Sequence, residues 1–150
     1  GSLYDYFPGK EAIYAELRKR EDQRLYDLTM GREEPKSIRE LLHLHVSIYL
    51  EFVRSNIELH TALINDVPQF AIDPHDLPYY REYVPWAIAF LRALRSELRV
   101  DQNVSDITDF VSRVTRSTVD NYVLNAPERL TDKSVEAMLK DLLERYLLKH

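Results

Sequence analysis

The sequence predicts an all-α domain, and three observations lead there. Apolar residues recur at three-and-four spacing through almost the whole chain. Glycine is scarce, three residues in 150, which disfavours all-β architectures built on tight turns. Helix start and stop signals fall between the periodic segments. Together they predict about six helices with short connections.

Each element has its own reason. Pro8 suits a first helical turn and Glu11 the positive N-terminal end, so a helix is expected from there to Met30, with Ile13, Leu17, Leu25 and Leu28 along one side. A charged stretch from Arg18 to Asp22 interrupts that side, and Gly31 supplies a stop. Ser37 and Glu40 have capping-box spacing ahead of an apolar run. The helix they open carries Ile38, Leu41, Leu42, His45, Ile48, Tyr49 and Phe52, with Leu44, Val46, Leu50 and Val53 on other faces; it is expected to be central. A shorter helix follows over 57–66, and the Pro-rich stretch 67–78 reads as a loop.

A third long helix is expected from Pro78 or Tyr79 to Val100, aromatic at its start (Tyr79, Tyr80, Tyr83, Trp86, Phe90) and aliphatic later. A fourth runs over 105–125 and is broken by Ala126-Pro127. The last follows a cap at Thr131 or Asp132 and carries Val135, Met138, Leu139, Leu142, Leu143, Tyr146 and Leu147.

Composition narrows the function. A chain of 150 residues has room for one domain with a self-sufficient core. Without cysteine it has neither disulfides nor thiolate metal sites. No apolar run approaches the length of a membrane span and no signal peptide is visible, so the expected location is cytoplasmic. A net charge of −5 argues weakly against nucleic-acid binding by this segment as a whole.

The opening GSLYDYFPGKEAI is an unusually aromatic start. Ser2, Leu3, Tyr4, Tyr6, Phe7, Pro8, Lys10, Glu11 and Ile13 fall in a pattern that resembles the signature of TetR-type (tetracycline-repressor-like) transcriptional regulators. In that family the signature spans the end of the recognition helix of a helix-turn-helix and the start of the next helix. Beyond the first 15 residues or so the likeness is only architectural. The resemblance implies an incomplete DNA-binding domain over 1–30, the chain starting within the helix-turn-helix, and a helical ligand-binding and dimerisation domain over 31–150. As it stands, the segment is not expected to bind DNA specifically.

The same resemblance assigns roles. Ser2, Tyr4 and Tyr6 would meet DNA backbone or base edges, and Lys10, in the first turn of the following helix, would pair with a phosphate. Leu3 and Phe7 would fill the small core of that unit, while Asp5 reads as a solvated bystander.

Aromatic area concentrates in Tyr49, Phe52, Tyr79, Tyr80, Tyr83, Trp86 and Phe90, a composition that suits a ligand cavity and equally a plain core. The candidate ligand-binding residues are His45, Tyr49, Phe52, His60, Tyr83, Trp86, Phe90, Arg113 and Asn121. An aromatic cage with Glu58 or Asp66 would suit a cationic ligand. His43 and His45 lie two apart on a helix, so they point about 200° apart and are poorly placed to share a metal ion. Asp73, His75 and Asp76 share a loop with no nucleophile at a useful spacing, and neither an enzyme nor a cofactor is expected.

The last two helices have more apolar positions than one buried face requires. Phe110, Val114, Thr118 and Tyr122 on one, and Met138, Leu142 and Tyr146 on the other, would form a four-helix bundle with a second copy about a two-fold axis. Together with these stripes, the resemblance implies a homodimeric regulator, a repressor released from operator DNA by a small-molecule effector. The alternative is a helical small-molecule-binding or structural homodimer with no DNA role. Effector, operator, regulated genes and the sense of control are not written in these residues.

Overall fold

The structure, a computed structural model describing residues 9–66 and 73–150, is helical throughout. Six α-helices occur among those residues: α1 Lys10–Met30, α2 Ile38–Ser55, α3 Ile57–Asp66, α4 Val84–Ala93, α5 Val104–Asn125 and α6 Ser134–Leu147. The all-α expectation and the number of helices hold. No described helix is long and apolar enough to cross a membrane.

Local chemistry sets most boundaries. The Gly31 N–H donates to the Asp27 carbonyl at 2.9 Å and the Arg32 N–H to the Thr29 carbonyl, and together they close α1. Ser37 Oγ accepts the Glu40 N–H at 3.1 Å, as a cap should, but the Glu40 carboxylate reaches the N–H of Lys36 rather than that of Ser37. Asn56 opens α3 through the Leu59 N–H. Asn103 caps α5 through the Ser105 N–H at 2.8 Å, so that helix begins at Val104, one residue before the expected start. Neither candidate cap before α6 takes the cap position, which falls to Lys133; Asp132, one residue earlier, braces the start by accepting both the N–H and the hydroxyl of Ser134.

The third long helix expected over 78–100 is divided. Its first part, Tyr79–Tyr83, is a π turn in which the Val84 N–H reaches back five residues to the Tyr79 carbonyl. Pro85 has no N–H to donate and its ring crowds the carbonyl one turn back, so the ladder widens there. The helix ends at Ala93, short of Val100. Beyond a 3₁₀ turn at Arg95–Glu97, tertiary hydrogen bonds replace helical ones. The Glu97 carboxylate accepts the Ile38 N–H at the start of α2, at 2.9 Å. Arg99 N–H donates to the Leu147 carbonyl and Lys149 N–H to the Glu97 carbonyl, with Leu98 and Leu148 facing in an isolated antiparallel bridge.

Helix α2 is the centre of the packing, in contact with α1, α3, α5 and α6. Ile38, Val46, Leu50 and Val53 are sealed from solvent on it. α5 offers Ile107, Val111, Thr115, Val119 and Val123, and α6 offers Val135, Leu139, Leu143 and Leu147, each a buried row at every fourth residue. Such rows form the ridges by which helices interlock. A polar seam flanks the α2–α6 contact: Ser47 donates to Glu136 at 2.7 Å, while Arg39 and His43 both meet Glu144 at 3.0 Å. Burial works against the Glu136 carboxylate, but the bonds from Ser47 and Lys140 and the Arg54 charge hold its pKa below the ordinary value.

Candidate functional site

Four elements meet around a small internal cavity. α1 supplies Leu25 and Thr29, α2 supplies His45, Ile48 and Tyr49, the π turn supplies Tyr79 and Tyr83, and α5 supplies Arg116. The volume, about 10 Å³, is room for one water and no more. The aromatic concentration is therefore mostly packed against itself.

The sequence places these groups simply. On α1, Asp22, Leu25 and Thr29 are the buried residues, at three-and-four spacing on one side. On α2, His45, Ile48 and Tyr49 share a face by the same rule. The π turn stacks Tyr79 on Tyr83 with ring centroids 4.6 Å apart, and the series continues outward through Trp86 at 5.6 Å and Phe90 at 5.3 Å.

Two hydrogen-bonded groups brace the cavity. Asp22 accepts the backbone N–H of Tyr79 at 2.7 Å, tying α1 to the first residue of the π turn. Asp120 on α5 accepts the Tyr49 hydroxyl and meets His60 Nε2 on α3, both at 2.7 Å. Burial raises the Asp22 pKa, opposed by the Tyr79 N–H and the charges of Arg116 and Arg18. The hydroxyls of Tyr49, Tyr79 and Tyr83 are all pushed up, burial being the first cause, Tyr83 to about 12. His45 is pushed down to about 4, by burial first and then by the Arg116 charge, so its imidazole is neutral at neutral pH. Its Nδ1 faces the Tyr79 hydroxyl at 3.5 Å, while its Nε2 is buried with no hydrogen-bond partner.

Of the residues expected to bind ligand, His45, Tyr49 and Tyr83 line the cavity. Phe52 and His60 adjoin it through ring contacts with Tyr49, and Trp86 and Phe90 extend the tyrosine stack. Arg113 and Asn121 do not join them. Both are exposed on α5, because Val111, Thr115, Val119 and Val123 take its inward positions, and Arg113 pairs with Asp109 at 2.7 Å. Leu25, Thr29, Ile48, Tyr79 and Arg116 complete the lining, and of these only Tyr79 belongs to the expected aromatic group.

Glu58 and Asp66 are exposed and absent from the lining, so they complete no cage for a cation. The cation present is Arg116, whose guanidinium lies 5.8 Å from the ring centroids of both Tyr49 and Tyr79. His43 and His45 point to different elements, to Glu144 and to Tyr79. Among the described residues no three His, Cys, Asp or Glu side chains gather as metal ligands would. Asp73 caps a short 3₁₀ turn at Pro74–Asp76 through the His75 N–H, and the His75 ring rests edge-on against Tyr80.

Of the expected DNA contacts, Ser2, Tyr4 and Tyr6 lie outside the described residues. Lys10 opens α1, exposed, with its ammonium 5.3 Å from the Tyr14 ring centroid.

The outer face of α5 and α6 carries a second feature. Phe110, Met138, Leu142 and Tyr146 are 48%, 53%, 56% and 42% exposed, high values for large apolar side chains. Phe110 and Tyr146 touch across the two helices, with centroids 5.9 Å apart. Val114 and Tyr122 are half-buried against the chain's own core, and Thr118 is half-buried beside them. Leu124, at the far end of α5, adds a further exposed apolar group at 43%.

No family model, curated protein or solved structure matches the chain.

Proposed function

We propose that this chain is the effector-binding and dimerising part of a TetR-type transcriptional regulator, a repressor that leaves its operator when a small molecule binds. One observation carries the reading: α1, the helix that the Ser2–Ile13 signature leads into, is also a wall of the internal cavity. Leu25 and Thr29 line that cavity and Asp22 is bonded to Tyr79 at its rim. A change in the cavity therefore bears directly on the helix that would carry the DNA-reading head. Arg24 adds a second hold on α1, bonding Ser55 Oγ at 2.6 Å and resting over the Phe52 ring.

In this mechanism two copies pair through the exposed α5–α6 face, and two recognition helices meet half-sites about 34–36 Å apart. The tilt of α1 sets that separation. A ligand that binds better to the wrongly spaced arrangement weakens operator binding by its differential affinity for the two states. The chain performs no catalysis and needs no cofactor in this reading.

The test is titration of the full-length protein on its own operator, with and without effector. A protein that binds DNA in no ligand state ends the regulator reading. The second reading, a helical ligand-binding or structural homodimer without a DNA role, draws on the same exposed apolar face and on the net charge of −5. The gene sequence upstream of Gly1 separates the two, because a helix-turn-helix encoded there supports the regulator and its lack supports the dimer.

A further inference from the structure

Arg116 is the unusual charge of the cavity. Its guanidinium faces the Tyr49 and Tyr79 rings, and among the described residues no carboxylate lies within ion-pair distance of it. The carboxylates nearby are engaged elsewhere: Asp120 by Tyr49 and His60, Asp22 by the Tyr79 N–H. Across the same cavity His45 holds a buried Nε2 with no hydrogen-bond partner, which costs stability where nothing satisfies it. The remaining walls are aromatic rings with Leu25 and Ile48.

These features select a class of ligand. A cation is disfavoured, because the tyrosine faces that would receive it already hold Arg116 and no carboxylate lines the space. A neutral apolar molecule would leave the His45 nitrogen without a partner and make no use of the exposed Arg116 guanidinium at the edge of the space. We infer that the cavity is the recognition site for a small aromatic carboxylate, its carboxylate on Arg116, its ring against Tyr49, Tyr79 and Tyr83, and its far edge toward His45 Nε2. The inference rests on the reading of this cavity as the effector site and adds the chemistry of the effector.

Such a ring exceeds the closed volume of about 10 Å³, so it enters by displacing Tyr79 and Tyr83 with the π turn. That movement pulls on the Asp22 bond and so on α1. The route from ligand to helix is three residues long: Arg116, Tyr79, Asp22.

Trp86 is the chain's one tryptophan and stacks on Tyr83, so its fluorescence reports the cavity without a label. The experiment titrates the 150-residue chain with benzoate, benzamide and benzylamine, three probes of one shape and different charge. Benzoate is expected to give a saturable change and to bind roughly tenfold to a hundredfold more tightly than the other two, the worth of a charge-assisted hydrogen bond. Arg116→Gln, at an exposed position, should abolish that preference, while Arg116→Lys retains part of it. Equal binding of benzamide, tighter binding of benzylamine, or unchanged benzoate affinity in Arg116→Gln overturns the carboxylate assignment and leaves the cavity as a ligand site. No saturable change with any probe, checked by calorimetry, overturns the ligand site too. Neither outcome touches the operator titration, so the two proposals fail separately.

Discussion

The Asp22 carboxylate on α1 accepts a 2.7 Å hydrogen bond from the backbone N–H of Tyr79, 57 residues further along the chain. A carboxylate in this place does two things of opposite sign. It satisfies a buried donor, and it carries a charge into surroundings that disfavour it. The folded chain, with the raised pKa, keeps a proton that the unfolded chain loses above about 3.8. Stability from this group therefore falls as pH rises through the window between the two values, because ionisation costs more in the folded chain than in the unfolded one.

Asn at position 22 keeps the acceptor and removes the charge. Asp22→Asn is expected to be at least as stable as the parent at pH 7 in urea unfolding. Asp22→Ala leaves the Tyr79 N–H without its partner and should cost about 1–3 kcal/mol. A destabilised Asn variant would mean that the charge itself, through Arg18 and Arg116, holds α1 in place.

His45 titrates with the other sign. Its folded pKa of about 4 lies below the ordinary 6.5, so the unfolded chain binds a proton that the folded chain refuses. The stability involved is complete above pH 6.5 and is lost as pH falls toward 4, on the order of 3 kcal/mol in all. Urea midpoints measured across this range should fall for the parent and fall much less for His45→Gln.

Thr115 is fully buried on α5 and its hydroxyl has no hydrogen-bond partner. Val keeps the shape and deletes the unsatisfied oxygen. Thr115→Val is expected to raise stability by about 1 kcal/mol, read as a higher melting temperature. A loss of stability would show that the hydroxyl is satisfied in solution.

The exposed face of α5 and α6 predicts association. Sedimentation velocity should find the parent as a dimer, and Met138→Glu with Leu142→Glu should give a folded monomer, since both side chains are more than half exposed and lie outside the core. A monomeric parent at micromolar concentration would remove the dimer from the reading.

Ser37→Ala removes one cap and should cost about 1 kcal/mol. It is a useful control because Ser37 does not line the cavity.

How much of this was legible in the sequence depended on whether the deciding interaction was local. Ser37, Asn56 and Gly31 act on residues within four positions, and the helices they bound were readable from spacing and cap chemistry. The stretch 78–100 kept a helical apolar period through Leu91, Leu94 and Leu98, yet the chain leaves the helix after Ala93. Pro85, which was visible, bears on the π turn at the start of this stretch; the exit after Ala93 goes with the bonds joining Glu97 to Ile38 and Arg99 to Leu147, which were not. The cavity divides similarly. Tyr49 and Tyr83 announce themselves by area, whereas Arg116 and Thr29 have ordinary surroundings in sequence. The buried spacing of Asp22, Leu25 and Thr29 is a signal on α1 that the neighbouring charges obscured. Arg113 was the more conspicuous arginine on α5 and faces outward; a shift of three residues separates it from the one that lines the cavity.

The bridge between Leu98 and Leu148 fastens the last turn of α6 to the middle of the chain, and Glu97 fastens the same point to the start of α2. A helix end ordinarily frays, which makes it an easy place for a fold to open. Here the easy end is stitched into the same knot as the central helix. Peeling α6 away exposes two backbone amides at once, those of Arg99 and Lys149, so amide exchange at these positions should be slow and should slow together.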